Sequence, residues 1–132
     1  MRPLLALLIC AAAAATEDMP GWVLPGILHV ETRSYYAEDG HIVYVNQQRG
    51  SHGEIGAFQC TRRAFDQVKY PGESFWQIET DTDFAETIAI RYLFWLREHH
   101  ASWTKVVGAY NAGPHHRSRA YEQAVRHDGE AP

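Results

Sequence analysis

Hydrophobic positions along this chain recur mostly at helical spacing. In the segment PGILHVETRS, Pro25 suits a first turn and Ile27, Leu28 and Val30 follow, which predicts a helix over 25–34. The segment AFQCTRRAFDQV predicts a second helix over 57–68. The strongest pattern runs from Asp83 to Glu98, where Phe84, Ala85, Ile88, Ala89, Tyr92, Leu93, Trp95 and Leu96 cover more than one face. A helix that is apolar nearly all round is a buried one. Asp83, with Glu86 three residues on, resembles a capping box for it. Trp103, Val106, Val107 and Tyr110 form the stripe of a further helix, which stops at Gly113-Pro114. A last helix is predicted from Pro114, fraying after Val125.

Two segments break the helical pattern. In SYYAEDGHIVYVN, Asp39-Gly40 separates two aromatic and β-branched runs, a hairpin signal. In RGSHGEIG, three glycines fall within eight residues, so the backbone there must do something a side chain would obstruct. The predicted fold class is therefore mainly α, with helices around one buried central helix and a small β-hairpin after the first helix.

Composition changes this picture at the N-terminus. MRPLLALLICAAAAA has one basic residue, an apolar run and an Ala-rich end, as a signal peptide over 1–15 would. A lipoprotein reading through Cys10 is the alternative. Removing those 15 of 132 residues leaves 117 and takes Arg2 with them, so the formal charge moves from −4 to −5. What remains suits one domain, 22–127, with a short leader at 16–21 and a tail at 128–132. The acidic balance argues against nucleic-acid binding, which wants a basic face. Cys60 is then the sole cysteine, so stability must come from packing rather than an internal disulfide.

Candidate chemistry is sparse. There is no Gly-rich phosphate loop and no H-E-x-x-H, so no cofactor and no metal are expected. The pairs His99-His100 and His115-His116 are adjacent residues that point apart on a helix, and a solvated face explains them. Cys60 reads as a small core residue. Glu31 stands out, because it ends an otherwise apolar helix, and a carboxyl among apolar neighbours has its ionised form disfavoured. Tyr110 and Asn111 sit together at a helix break; either they complete a core stripe and cap a helix, or they hold something.

Taken in order, ILHVETRS, RGSHGEIGAFQCT and VVGAYNAGP resemble the motifs of the soluble-type (SLT) lytic transglycosylases and the related goose-type lysozymes. Those proteins have a helix ending in Glu-Ser, a glycine-rich segment leading to Gly-Leu-Met-Gln, and a later helix ending in Ala-Tyr-Asn-Ala-Gly. Glu31 matches the catalytic glutamate, Gly56-Ala57-Phe58-Gln59 the middle motif, and Ala109-Tyr110-Asn111-Ala112-Gly113 the last one at every position. Tyr92, Leu93 and Leu96 also sit where the family has a similar pattern. The resemblance extends from about Trp22 to Arg126. There are departures: Thr32 replaces the serine, the hairpin lengthens the gap after Glu31, and Ser51 is one position off the expected serine. Glu54 stands where a small residue is typical.

The resemblance implies an α+β lysozyme-like fold, with the hairpin after the catalytic helix, and cleavage of peptidoglycan at the bond between N-acetylmuramic acid and N-acetylglucosamine. Glu31 would act as acid and then base, Tyr110 would orient it by a hydrogen bond, and Gln59, Asn111, Gly56, Ser51 and Phe58 would bind substrate. The product would carry a 1,6-anhydro ring. A hydrolase outcome is the alternative and usually needs a second carboxylate ~5–9 Å away, for which Glu54, Asp39, Asp81 and Asp83 are candidates. The other alternative is a catalytically inactive glycan-binding domain. Expected besides are an exported, monomeric protein in the periplasm or outside the cell, no transmembrane segment in the mature chain, and peptidoglycan as partner. With like charge on protein and wall polymer, binding would rest on short-range contacts.

Overall fold

The first helix ends where the backbone reverses hand. In the computed structural model, which describes residues 19–131, α1 spans Val23–Thr32 and stops because Arg33 adopts a left-handed φ of 59°. Its N–H then closes the helix on the His29 carbonyl at 2.9 Å. The helix is shifted two residues toward the N-terminus from the expected 25–34, with Pro25 still in the first turn, where a missing N–H costs little. The leader over 1–15, Cys10 and residues 16–18 lie outside the described residues.

The hairpin follows as β1 (Tyr35–Tyr36) and β2 (Ile42–Val43), antiparallel, with Tyr35 opposite Val43 and Tyr36 opposite Ile42. Asp39-Gly40 lies in a five-residue connection rather than a two-residue turn. It is closed by the Gly40 N–H on the Ala37 carbonyl (2.9 Å) and the Ala37 N–H on the His41 carbonyl (2.8 Å). Ile42 is buried beneath, and the Tyr36 hydroxyl donates to Glu86 at 2.6 Å, tying the hairpin to the central helix.

The second helix, α2, covers only Arg62–Val68, so its expected first five residues are not helical. Ile55 and Cys60 instead exchange both backbone hydrogen bonds (3.1 and 2.8 Å), and Gln59 takes a positive φ of 50°. Such a turn cannot extend a right-handed helix. Thr61 starts α2 by accepting from the Ala64 N–H at 3.0 Å. Cys60 therefore lies in a turn, although it is buried as expected.

A short α3 (Gln77–Thr80) leads into α4 (Thr82–Arg97), which buries Ala85, Ile88, Ala89, Tyr92, Leu93 and Leu96 and is the central helix. Its cap is Asp81, accepting from the Phe84 N–H at 3.0 Å, not the Asp83–Glu86 box; Glu86 receives Tyr36 instead. Next, α5 (Trp103–Ala112) is capped by Ser102 and buries Trp103, Val106 and Val107. Ser118 caps α6 (Arg119–Glu130), which begins after Pro114 rather than at it. That helix runs past Val125 through Glu130, so Asp128–Glu130 are helical, not a tail, and Asp128 pairs with His29 at 2.7 Å. Among the described residues the fold is mainly helical with one small antiparallel hairpin, as expected.

Helices α1 and α6 lie against each other at unusually close range. A β-carbon on Gly26 would stand 2.2 Å from the Val125 carbonyl oxygen and 2.8 Å from its Cγ1. Gly26→Ala should therefore cost about 1–3 kcal/mol, since the gain in helix propensity is only about 1 kcal/mol against a backbone collision. The check is urea unfolding: a lower midpoint at unchanged slope is expected, and an unchanged midpoint would mean that the helices can separate freely.

Candidate active site

The site is built on the turn from Ile55 to Cys60. Gly56 has a φ of 81°, and a β-carbon there would meet Ile78 Cγ2 at 2.6 Å, so only glycine fits. The side chains of Ala57 and Phe58 go into the core, which leaves their carbonyls to be satisfied. Two hydroxyls do so. Thr32 Oγ1, at the end of α1, donates to the Ala57 carbonyl at 2.8 Å, and Tyr110, near the end of α5, donates to the Phe58 carbonyl at 2.7 Å. Thr32 also lies 2.6 Å from Ser34 Oγ, which accepts from the Val45 N–H at 2.9 Å. A hydroxyl is what position 32 needs, and threonine supplies it as serine would.

Glu31 precedes Thr32 and is thereby held beside this turn. It is half-buried, and burial first, then the charge of Glu54, push its carboxyl from 4.5 up to about 7. The Glu54 carboxylate accepts from the His52 N–H at 2.8 Å. It also lies over Gly50: a β-carbon there would be 2.1 Å from Glu54 Oε2 and 2.8 Å from Gln59 Oε1. Glu54 and Gln59 are thus neighbours in one loop. The Gln59 amide donates to the carbonyls of Gly56 (3.1 Å) and Gln48 (3.3 Å), which braces that loop from inside.

Of the expected site residues, Glu31, Glu54, Gly56 and Gln59 come together, with Tyr110 behind them. Tyr110 differs from expectation: its hydroxyl binds the Phe58 carbonyl, not Glu31, so it positions the turn and reaches Glu31 only through space. Phe58 is also corrected, because its ring is 1% exposed and belongs to the core. Ser51 stands on the exposed part of the loop, its hydroxyl 3.1 Å from the ring of adjacent His52. Asn111 is exposed in the last turn of α5. Among the four candidate second carboxylates, Glu54 is the one whose charge acts on Glu31. Asp39 pairs with His41 at the hairpin tip, Asp81 caps α4, and Asp83 is exposed in the first turn of α4.

One neighbour escaped the sequence reading. Tyr121, the sole aromatic residue of α6, is buried, and its hydroxyl has no hydrogen-bond partner among the described residues. Burial, with the charge of Glu31 behind it, holds its phenol well above the ordinary value. Its place with Val125 on the apolar stripe was the available signal, since a buried tyrosine seeks a partner for its hydroxyl.

Other chemistry recedes. Burial pushes the Cys60 thiol up to about 12, which leaves no thiolate for nucleophilic work near neutral pH. His100 Nε2 lies 2.8 Å from the Pro114 carbonyl, and His99 packs on Trp95. Among the described residues, no group of three or more His, Cys, Asp or Glu could hold a metal ion, and no helix is long and apolar enough to cross a membrane. No protein-family model, curated protein or solved structure matches this chain.

The raised Glu31 carboxyl links stability to pH. Between 4.5 and about 7 the folded chain binds more protons at this residue than the unfolded chain does. That contribution is complete below 4.5 and is lost as the pH rises through about 7. Glu31→Gln should therefore stabilise the fold near pH 8 relative to its effect near pH 4, as read from urea midpoints. In carbon-13 NMR titrations, Glu54→Gln should bring the Glu31 midpoint down. A Glu31 midpoint near the ordinary glutamate value in the unaltered protein would contradict the described burial.

Proposed function

We propose that this chain is a lytic transglycosylase that cuts peptidoglycan strands between N-acetylmuramic acid and N-acetylglucosamine. The observation that carries the reading is Glu31, a half-buried carboxyl held up to about 7 beside the Gly56–Gln59 turn. Such a group is protonated in about half the molecules at neutral pH and can both give and take a proton.

In this reading Glu31 protonates the glycosidic oxygen as its bond to C1 breaks. The positive charge left on the sugar is shared by the acetamido oxygen. The carboxylate of Glu31 then takes the proton of the muramic 6-hydroxyl as that oxygen bonds to C1. Glu31 ends protonated, as it began, and no water is consumed. The products are a 1,6-anhydro-muramic end and a free 4-hydroxyl on N-acetylglucosamine. Asn111, exposed one residue beyond Tyr110, is available to substrate amides and hydroxyls. The apolar, Ala-rich start of the chain supports export to the periplasm or the cell exterior.

Glu54 favours a second reading. A carboxylate close enough to act on Glu31 can serve as base toward water or as nucleophile toward C1, which would make the enzyme a muramidase. The two outcomes differ by one water, about 18 Da, in mass spectra of muropeptides released from purified peptidoglycan. Anhydro products are expected, with turnover falling ~10²–10⁴-fold in Glu31→Gln. The rate should also decline as pH rises above about 7, because the acid form of Glu31 is then lost. Glu54→Gln should keep turning over anhydro product. Reducing ends that vanish in Glu54→Gln would establish hydrolysis instead, and no release by a folded protein would leave a binding domain.

A further inference from the structure

The turn that carries Gln59 borders a second feature. Gln59, Tyr110 and Tyr92 line a narrow cavity of about 20 Å³, and Tyr92 also lines a surface pocket of about 200 Å³. That pocket takes Arg63 and Gln67 from α2, Trp95 from α4, His99 from just beyond its end, and Pro114 and His115 from the segment after α5. Its floor is aromatic: Tyr92 stacks on Trp95 with centroids 5.7 Å apart and planes 12° apart, and the His99 ring lies 4.6 Å from Trp95. The polar groups of its lining residues are a guanidinium, an amide, two imidazoles, the Tyr92 phenol and the Trp95 indole N–H. No carboxylate lines it, in a chain whose formal charge is −4.

Arg63 differs from its basic neighbours. Arg62 and Lys69 both pair with Asp66, whereas Arg63 has no carboxylate partner among the described residues. Its charge instead acts on the Tyr92 hydroxyl. An arginine fork at the edge of an aromatic-lined pocket can take a planar carboxylate in two hydrogen bonds.

We propose that this pocket receives a carboxylate of the acidic stem peptide carried by the muramic acid of the substrate. The inference rests on the glycan-cleaving reading and gives it a substrate class: strands that still bear their peptides. Tyr92 lines both the pocket and the small cavity that Gln59 borders, so the pocket adjoins the turn of the candidate site, as a peptide branching from a bound sugar would require. The pocket's volume is below that of a site for a whole drug-sized ligand, which fits the acidic end of a short peptide and not a further run of sugars.

The test uses the full chain, its Glu31→Gln form and an exposed-site variant, Arg63→Gln. Cleavage of peptide-bearing strands is compared with cleavage of strands stripped by an amidase. About tenfold higher kcat/KM on peptide-bearing strands is expected, with Arg63→Gln falling to the rate on stripped strands. Equal rates on both strands in the unaltered protein would overturn the inference while leaving glycan cleavage intact. So would an Arg63→Gln loss equal on both, which would mark the pocket as a sugar subsite. In parallel, a synthetic acidic stem peptide without sugar is titrated into the Glu31→Gln chain by NMR. Shifts at Tyr92, Trp95 and His99 that disappear in Arg63→Gln are expected, and no shifts there would sink the proposal. If neither strand is cut, the glycan-cleaving reading fails, and the peptide titration still decides whether the pocket takes a carboxylate.

Discussion

Two hydroxyl-to-carbonyl hydrogen bonds hold this molecule's candidate site together. Thr32 fastens the end of α1 to the Ala57 carbonyl, and Tyr110 fastens the end of α5 to the Phe58 carbonyl. Because these are adjacent peptide units, one short turn becomes the joint between two helices distant in sequence. A buried carbonyl left without a partner costs about 1–3 kcal/mol, so each bond also removes an alternative arrangement. Everything attached to the joint inherits its position: Glu31 through Thr32, Gln59 through Phe58, and Glu54 through the loop that Gln59 braces.

The same joint explains how a carboxyl can be kept partly out of water. Ionised Glu31 is disfavoured by burial and by Glu54, and a chain free to move would turn it toward solvent. Here the Thr32 bond to the Ala57 carbonyl fixes the backbone next to Glu31 at the end of α1. Behind it, α1 is pressed onto α6 closely enough that Gly26 meets the Val125 backbone, so the helix cannot slide. The Tyr121 hydroxyl, without a hydrogen-bond partner among the described residues, sits in this packing, within reach of the charge of Glu31. A strained proton balance of this kind is the usual physical sign of acid–base work, which is why the proposed reaction begins with Glu31.

Helix existence was legible because periodicity reports burial, and burial is what forms these helices. The α4 stripe and the Trp103–Tyr110 stripe both emerge as central packing. Helix ends were less legible, since they depend on single cap bonds and single dihedrals. Asp81 rather than Asp83 starts α4, and the left-handed Gln59 breaks what reads as a helix from Ala57. Within the site, Glu31 could be singled out from its apolar flank alone. The partner of Tyr110 could not, because a hydroxyl's choice between a carboxylate and a carbonyl is decided by angstroms.

By itself, then, the sequence determined the helical class, the hairpin, the buried central helix and the residues with unusual chemistry, all of which follow from local composition and spacing. Tertiary structure alone decided which of four carboxylates stands near Glu31, that Phe58 belongs to the core, and that Tyr121 comes into range. These are distances between residues far apart in the chain. They arise from how α1, α5 and α6 pack around one turn, and no periodicity encodes them.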